Sequence, residues 1–127
     1  MDFYSRKWIK PEDLNPNGSL FGGRLLSWID EESVIYAMTR LGNNKHLVTK
    51  VMSEVNFVSS ARLGDVIEMG VGVIGVGKTS ITLCAEIRNK VTKATIVSID
   101  RIVFVNMGDD GRPAEHGFNT DSSPPVR

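Results

Sequence analysis

The sequence has little of the residues on which several protein classes depend. It contains a single cysteine, Cys84, in 127 residues, so an internal disulfide and a cysteine-rich metal site are both excluded. Its 15 Lys and Arg residues are balanced by 15 Asp and Glu, which argues against a dedicated nucleic-acid-binding protein. The most apolar stretch, residues 69–77, is glycine-rich and too short to span a bilayer, and residues 1–10 are too charged for a signal peptide. We therefore expect a cytoplasmic protein that binds neither nucleic acid nor membrane.

What the chain does contain is sufficient for one folded domain. With 41% hydrophobic and 24% charged residues, its composition is that of a globular protein that can bury a core without disulfides or metal. The charge is unevenly placed, since residues 41–107 hold five acidic and eight basic residues, a net charge of +3. This excess favours a small anionic ligand and is too weak for a polyanion.

The first third of the chain predicts one long helix. Residues 11–18, PEDLNPNG, are typical of a loop, and residues 22–41 contain no helix breaker after Gly23 and are followed by GNN. Residues 2–10 predict a weaker opening strand. We therefore expect a short strand, a loop and a helix of about five turns.

From Leu47 onward, apolar residues recur with a period of two, which predicts four long strands. Their predicted apolar faces are Thr49, Val51, Ser53, Val55 and Phe57; Ile67, Met69, Val71 and Val73; Thr79, Ile81, Leu83, Ala85 and Ile87; and Val97, Ile99, Val103 and Val105. The short breaks between them predict antiparallel neighbours. The expected domain is α+β and spans residues 1–107, with a sheet of about five antiparallel strands wrapped around one central helix and a flexible tail over 108–127.

Asp30 is the charged residue in an otherwise apolar row of the predicted helix. At about 100° per residue, the residues that align with it are Gly23, Leu26, Val34, Ala37 and Leu41. A carboxylate on a helix face that packs against the core loses hydration, which raises its pKa and makes it a better base. The alternative is that the row faces solvent at Asp30, or that the carboxylate caps backbone donors.

Two further candidates lie near the start of this helix. Gly22 and Gly23 place backbone N–H groups at the positive end of the helix dipole, where glycine permits close approach of a substrate carbonyl, so these amides are candidates for an oxyanion hole. Asn15 carries an amide that can orient a water molecule or a carbonyl. The plainer interpretation is a glycine turn into a helix and a turn-forming asparagine.

Residues 72–79, GVIGVGKT, match the phosphate-binding pattern G-x-x-x-x-G-K-[ST]. That pattern should open a helix, but the residues that follow alternate with a period of two and are rich in β-branched side chains. A nucleoside triphosphatase is therefore disfavoured, and we expect a tight hairpin at 75–77. Lys78, Thr79 and Ser80 remain candidates for holding the phosphate groups of a nucleotide-containing ligand.

The two histidines give no sign of a metal site. His46 and His116 lie far from other metal-ligating residues in the sequence, so no bound metal is expected. A dehydratase or hydratase would use an active-site histidine, and neither residue lies in a suitable motif.

The loop, the glycine pair and the helix acid occur together in a segment that resembles a known family. Residues 13–33, DLNPNGSLFGGRLLSWIDEES, resemble the hotdog-fold acyl-CoA thioesterases of the acyl-CoA hydrolase type, which combine a D-x-N-x-x-G loop, F/H-G-G and an acidic residue further along the helix. Further matches are HLVTKVMSEVNF, the Gly64-Asp65 turn and VGKTSI, so the resemblance covers about residues 5–107. The family commonly has a proline where this chain has SSARLGD, and we expect this difference to alter the loop and place Arg62 near the ligand.

The resemblance implies a hotdog fold and hydrolysis of an acyl-CoA thioester to a free acid and coenzyme A. It implies that Asp30 activates water or attacks the thioester, that Asn15 orients the water or substrate from the neighbouring subunit, and that the Gly23 amide holds the oxyanion. The alternative is a hotdog domain that binds acyl-CoA without turnover.

The same resemblance implies how substrate is held and how copies assemble. The expected substrate or coenzyme A contacts are Gly22, Arg62, Gly77, Lys78, Thr79 and Ser80. The family assembles its sites across a homodimer, commonly within a hexamer built as a trimer of dimers. No metal and no separate cofactor are expected, because coenzyme A enters as part of the substrate and leaves as product.

Overall fold

The chain folds into five strands and one long helix. The computed structural model describes residues 1–42 and 46–118. In chain order the elements are β1 (Asp2–Trp8), a 3-10 helix (Pro11–Asp13), α1 (Gly22–Arg40), β2 (Leu47–Phe57), β3 (Val66–Val76), β4 (Ser80–Asn89) and β5 (Thr95–Asn106). The opening strand, the helix and the four long strands predicted from the sequence are all present.

All five strands belong to one antiparallel sheet in the order β1-β3-β4-β5-β2. Strands β1 and β2 are therefore the two edges. The helix lies on one face of the sheet, where Leu25 and Ile29 are buried against the strands. The predicted α+β class and the sheet around one long helix are confirmed.

The alternation predicted for the central strands is confirmed. In β3, Ile67, Met69 and Val71 are buried, and in β4 every second residue from Ile81 to Ile87 is at most 3% exposed. These two strands are central, so one face of each must be apolar to cover the core. The intervening side chains lie on the opposite face and are mostly polar.

The faces predicted for β2 and β5 are wrong over part of their length, because both strands carry irregularities. The pairing of β2 with β5 shifts between Thr49 and Val51, so that Met52, not Val51, lies opposite the fully buried Ile102. A second shift, in the pairing of β4 with β5, occurs where Asp100 and Arg101 are exposed. Beyond it Ile102 and Phe104 are fully buried and the predicted Val103 is only half-buried, while Val105 is buried as predicted. An extra residue moves every later side chain to the other face.

The row predicted to be buried on α1 is buried at Ala37 and Leu41, but before that the buried residues are displaced by one position. The buried helix residues are Leu25, Ile29, Ser33, Tyr36 and Ala37. Leu26, Asp30 and Val34 form the neighbouring row and are only half-buried. Because apolar side chains also occur elsewhere around the helix, the sequence period alone does not select which row contacts the sheet.

Part of the segment after β5, where a flexible tail was expected over 108–127, is hydrogen-bonded to the sheet. The Ala114 N–H donates to the Asn106 carbonyl over 2.8 Å, and the Asn106 side chain donates to the Ala114 carbonyl over 3.0 Å. His116 is 3% exposed, and Phe118 packs against the core. The remainder of the predicted tail, residues 119–127, lies outside the described residues.

Candidate active site

Asp30 lies at the beginning of the third turn of α1, on the side that faces edge strand β2. The Thr49 hydroxyl donates a hydrogen bond to Asp30 Oδ1 over 2.6 Å, and the carboxylate makes no other hydrogen bond or ion pair among residues 1–42 and 46–118. The residue is half-buried at the margin of the core, not within an apolar row as expected. One carboxylate oxygen is thus fixed by Thr49, and the other is available to a ligand or a water molecule.

The start of α1 provides donors without intrahelical acceptors. The first N–H groups of a helix have no partner four residues back, and Phe21 at the N-cap offers no side-chain cap. Two aromatic rings stand over the glycines: an added Cβ at Gly23 would lie 2.8 Å from Phe21 Cε2, and one at Gly22 would lie 3.5 Å from Phe57 Cε1. Phe21 and Phe57 are both more than half exposed. The helix start therefore combines N–H donors with an exposed apolar surface.

The Asn15 side chain organises its own loop. Its Oδ1 accepts the N–H groups of Asn17 over 2.9 Å and of Ser19 over 3.2 Å, and its Nδ2 donates to the Ser19 hydroxyl over 3.1 Å. This is the turn-forming role that the sequence also allowed. Within one chain, Asn15 and Asp30 share no hydrogen bond.

Arg62 is brought beside this loop through the backbone. Ser19 and Arg62 form an isolated β-bridge, and the Leu20 N–H donates to the Ala61 carbonyl over 2.8 Å. The Arg62 N–H donates to the Asp65 carboxylate, while the Arg62 side chain is exposed. The arginine thus flanks the Asn15 loop.

The glycine-rich segment forms the turn between β3 and β4, as the period-two alternation predicted. The Gly77 N–H donates to the Ser80 carbonyl over 3.0 Å, so residues 77–80 close a tight turn and do not open a helix. Lys78 is exposed, and Thr79 and Ser80 are half-buried. The helix that a phosphate-binding loop requires is absent from this position.

His116 holds the same turn from the other side. The His116 N–H donates to the Lys78 carbonyl over 3.1 Å, and its Nε2 lies 3.0 Å from the Ser80 carbonyl. The Phe118 N–H lies 3.0 Å from Nδ1, so with Nδ1 as acceptor the ring carries its proton on Nε2. Sequence reasoning missed this role because an isolated histidine gives no sign of a carbonyl partner far away in the chain.

Within one chain, the turn and the helix start lie at opposite ends of β2. The turn contacts Asn106 through the Thr79 carbonyl, and Asn106 pairs with Leu47 at the beginning of β2. Gly22 lies against Phe57 at the end of β2. A strand of this length is roughly 30 Å long at about 3.3 Å per residue. A single chain therefore does not bring all the predicted site residues together.

The residues that the structure describes contain no group of three or more His, Cys, Asp or Glu side chains that could hold a metal ion. They also contain no helix long and apolar enough to span a membrane.

Thr49 and the two aromatic rings at the helix start are the site residues that sequence reasoning missed. Thr49 lies on the face of β2 that was predicted to cover the core, but no local pattern indicates that its hydroxyl reaches Asp30.

With this geometry in place, comparison with known proteins identifies the class. The family model of the thioesterase superfamily matches residues 17–96, and the chain belongs to that superfamily. A hotdog-fold thioesterase from Campylobacter jejuni superposes on this chain with a TM-score of 0.74 and 29% sequence identity. The match covers 90% of this chain and 95% of that one. The five-stranded sheet around one long helix is thus the hotdog fold.

Two curated relatives and two further structures are similar to this chain. An uncharacterized acyl-CoA thioester hydrolase of Buchnera aphidicola is 34% identical over 61% of this chain and 56% of its own length. One of Haemophilus influenzae is 31% identical over 65% of this chain and 52% of its own length. The chain thus spans little more than half of these relatives. A hexameric thioesterase from Yersinia pestis has a TM-score of 0.81 and 26% identity over 93% of this chain and 97% of its own. An acyl-CoA hydrolase from Staphylococcus aureus, solved with butyryl coenzyme A and coenzyme A, has a TM-score of 0.77 and 27% identity. The match covers 87% of this chain and 66% of that one.

Proposed function

We propose that this protein hydrolyses an acyl-CoA thioester to a free acid and coenzyme A. The observation that carries the proposal is the Asp30 carboxylate, fixed at Oδ1 by Thr49 and positioned on the helix whose N-terminal amides lack intrahelical acceptors. The curated relatives bear the name acyl-CoA thioester hydrolase, and the Staphylococcus aureus neighbour was solved with acyl-CoA and coenzyme A. The reaction needs only water and the thioester, so we propose no metal and no cofactor. The substrate also fits the cytoplasmic location expected from the sequence.

In the first form of the proposed mechanism, Asp30 acts as a general base. It accepts a proton from a water molecule while the water oxygen attacks the thioester carbonyl carbon. The carbonyl oxygen becomes an oxyanion that the Gly23 N–H of a second copy stabilises, with the Gly22 N–H of that copy in support, because Gly23 and Asp30 of one chain are about 10 Å apart along the helix. The carbon–sulfur bond then breaks, and the sulfur leaves as the coenzyme A thiolate and takes up a proton.

In the second form, Asp30 is the nucleophile. Its carboxylate attacks the carbonyl carbon, the thiolate leaves, and water hydrolyses the resulting mixed anhydride. A single turnover in ¹⁸O-labelled water tests for the second form. Label in the Asp30 side chain after one turnover indicates the nucleophile, because water has then attacked the aspartyl carbonyl of the anhydride. Label in the free acid alone is the result expected for the base, and also for water attack at the acyl carbonyl of the anhydride.

Substrate binding is assigned to groups from two regions. Lys78 supplies a positive charge, Thr79 and Ser80 supply hydroxyls and Gly77 an exposed backbone, which together suit the phosphates of coenzyme A. Arg62, beside the Asn15 loop, supplies a second exposed charge. Asn15 is proposed to orient the water or the carbonyl with the Nδ2 hydrogen that Ser19 does not receive.

We propose that the complete site needs two copies of the chain. Strand β2 is an edge of the sheet and carries backbone groups that can pair with another strand. A second copy related by a two-fold axis along this edge would bring the beginning of its β2, with the adjoining 77–80 turn, next to the end of β2 and Gly22 of the first. The Yersinia pestis and Campylobacter jejuni proteins are hexameric. A trimer of such dimers is the proposed assembly.

Mixed oligomers test the two-copy site. Asp30→Asn, beside the beginning of β2, and Asn15→Ala, in the loop before the helix start that the second copy contributes, are each expected to abolish most activity. Copies carrying one change each, mixed at random, should recover about a quarter of wild-type activity, because half of the dimers are mixed and half of their sites are intact. Activity no greater than the sum of the two separate variants would contradict a site shared between copies.

The function itself is tested by thiol release from a panel of acyl-CoA substrates of increasing chain length. Release of free coenzyme A above the rate of spontaneous hydrolysis, for at least one chain length, is the expected result. Tight binding with the thioester intact after long incubation would instead support the second candidate, a non-catalytic acyl-CoA-binding domain. That candidate would use the same ligand-facing residues, because a shared fold does not by itself establish the chemistry.

A further inference from the structure

A row of charged side chains crosses the outer face of the sheet, which is the face turned away from α1. Glu68 alternates with the core residues of β3, and it lies opposite Arg6 on β1 and opposite Arg88 on β4. Lys90 and Lys93, in the turn that follows β4, approach the same carboxylate. We define Arg6, Arg88, Lys90 and Lys93, with Glu68 at their centre, as the outer-face cluster.

One carboxylate in this cluster faces four cations. Glu68 is buried, and its Oε2 accepts hydrogen bonds from Arg88 and from Lys93, the latter over 3.0 Å. The Lys90 ammonium lies further away, 3.9 Å from Oε1. Across the described parts of the chain, Arg6 has no ion-pair partner. The cluster therefore carries more positive charge than its carboxylate balances.

The lysines of the cluster crowd one another. The neighbouring Lys93 ammonium, by contact and by charge, holds the pKa of Lys90 below its ordinary value against the opposing effect of Glu68. The backbone of Lys93 has a φ of 65°, in the left-handed region that favours glycine. Glu86, on the same face of β4, is already engaged by the Thr95 hydroxyl over 2.6 Å. The turn thus concentrates positive charge at a backbone position that a lysine rarely occupies.

Arg88 is the member of the cluster with a fixed orientation. Its guanidinium carbon lies 3.7 Å from the centre of the Phe3 ring, which itself lies over Gly70, and its Nε donates to Glu68. In the residues that the structure describes, the two terminal nitrogens of Arg88 make no hydrogen bond. A guanidinium held at Nε, with both terminal nitrogens unengaged, can bind two oxygens of one phosphate group with little further ordering.

We propose that the outer-face cluster binds a phosphate group, with Arg88 in a bidentate contact and the ammonium groups of Lys90 and Lys93 beside it. Three of its cations belong to residues 41–107, whose net charge of +3 favours a small anionic ligand. The phosphate has two sources, a free phosphate compound or the phosphates of coenzyme A. The proposal does not depend on thioester hydrolysis, because within one chain the cluster and Asp30 lie on opposite faces of the sheet.

Isothermal titration calorimetry of the full-length protein with inorganic pyrophosphate tests the site. Binding should be saturable and should weaken as salt is added. The double change Arg6→Gln and Lys90→Gln leaves Arg88 and Lys93 bonded to Glu68, and it should weaken pyrophosphate binding at least about tenfold. Arg101→Gln, which removes an exposed positive charge from β5, should leave the affinity unchanged.

Lys93→Gly provides a second variant that should fold. Glycine adopts the left-handed φ of this position freely, so the unfolding temperature should stay near that of the wild type, while pyrophosphate binding weakens at least about threefold. No saturable heat with the wild type, or equal affinity in the wild type and the double variant, would overturn the proposal. If the double variant does not fold, equal affinity in the wild type and Lys93→Gly would do so.

Two competitors identify the ligand chemistry and its source. Citrate, which is also multiply charged, should bind more weakly than pyrophosphate, and equal affinity would contradict a site for phosphate. If a free phosphate compound is the ligand, pyrophosphate binds with unchanged affinity in the presence of saturating coenzyme A. If coenzyme A is the source, it displaces pyrophosphate and binds more weakly to the double variant. Pyrophosphate binding without turnover of any acyl-CoA would contradict the proposed hydrolysis and leave this site supported.

Discussion

The Thr49 hydroxyl donates to Asp30 Oδ1 over 2.6 Å and thereby joins an edge strand to the central helix at the candidate active site. The bond holds the carboxylate in one orientation. It also places the pair at the edge of the sheet where a second copy can approach.

Thr49→Val keeps the shape of the side chain but removes this donor. We expect kcat/KM for acyl-CoA hydrolysis to fall by about tenfold, since a hydrogen bond to a charged group contributes about 1.5–3 kcal/mol. Thr49→Ser retains the hydroxyl and should recover most of the activity. Equal rates for wild type and Thr49→Val would show that the bond does not orient the carboxylate.

Gly23→Ala tests the crowding at the start of the helix. The added Cβ would lie 2.8 Å from Phe21 Cε2, so the ring must move, and it can do so into solvent because it is 53% exposed. We expect thermal stability to change by less than about 1 kcal/mol, since alanine favours the helix. Turnover should fall about tenfold or more, because the displaced ring obstructs the N–H groups proposed as the oxyanion hole. Unchanged turnover would exclude Gly23 from that role.

Ser33→Ala removes the one buried side-chain oxygen, in the part of the chain the structure describes, that has no hydrogen-bond partner. Ser33 is fully buried in α1 facing the sheet. Its removal should raise the free energy of unfolding by about 1 kcal/mol, because an unsatisfied hydroxyl costs about that much to bury. The matched control is Ser27→Ala, which has the same helix propensity effect at an exposed position. If both changes alter the free energy of unfolding equally, burial of the unpaired Ser33 hydroxyl does not measurably destabilise the fold.

Glu68 makes stability depend on pH. Burial alone would raise the pKa of this carboxyl, but hydrogen bonds and charges from Arg88 and Lys93 outweigh burial and hold the pKa below its ordinary value. A carboxyl with a lowered pKa in the folded state stabilises the fold above its unfolded pKa, near 4.3, and loses that contribution as pH falls through the folded value.

Denaturant unfolding of wild type and Glu68→Gln checks this dependence. At pH 7 the variant should be less stable by about 1–2 kcal/mol, because Arg88 and Lys93 lose their carboxylate partner. Below about pH 4.5 the difference should begin to shrink, since the carboxyl of the unfolded chain takes up a proton there and that of the folded protein does so only at lower pH. A difference that stays constant from pH 7 to pH 3.5 would mean that the ion pairs do not supply this stability.

The sequence is sufficient to predict the fold, but not to predict for every strand which side chains face the core. In β4, the middle strand of the sheet, the alternation runs without interruption, so it gave the buried set from Ile81 to Ile87 correctly. In β2 and β5 the alternation is interrupted, and only the pairing register shows that Met52 and Ile102 face the core. The glycine-rich turn was predicted as a hairpin because β-branched residues follow it.

The site was predictable in its residue types and less so in its arrangement. The choice of Asp30 rested on a row of α1 that lies beside the buried row, so its position at the margin of the core follows only from the packing of Ile29 and Ser33. Asn15 fits both a turn and a ligand role in sequence, and the structure shows the turn. The separation of the 77–80 turn from Gly22 depends on sheet register, which no local pattern encodes.

The measurement that tests the central claim most directly is the rate of thiol release from the best acyl-CoA substrate by Asp30→Asn. Glu31→Gln, the same change of charge at the exposed neighbouring position, is its control. We predict that Asp30→Asn lowers kcat by at least about a hundredfold, as expected for loss of a general base or nucleophile, while Glu31→Gln retains wild-type activity. Equal rates for Asp30→Asn and wild type, with both variants folded, would contradict the proposed role of Asp30.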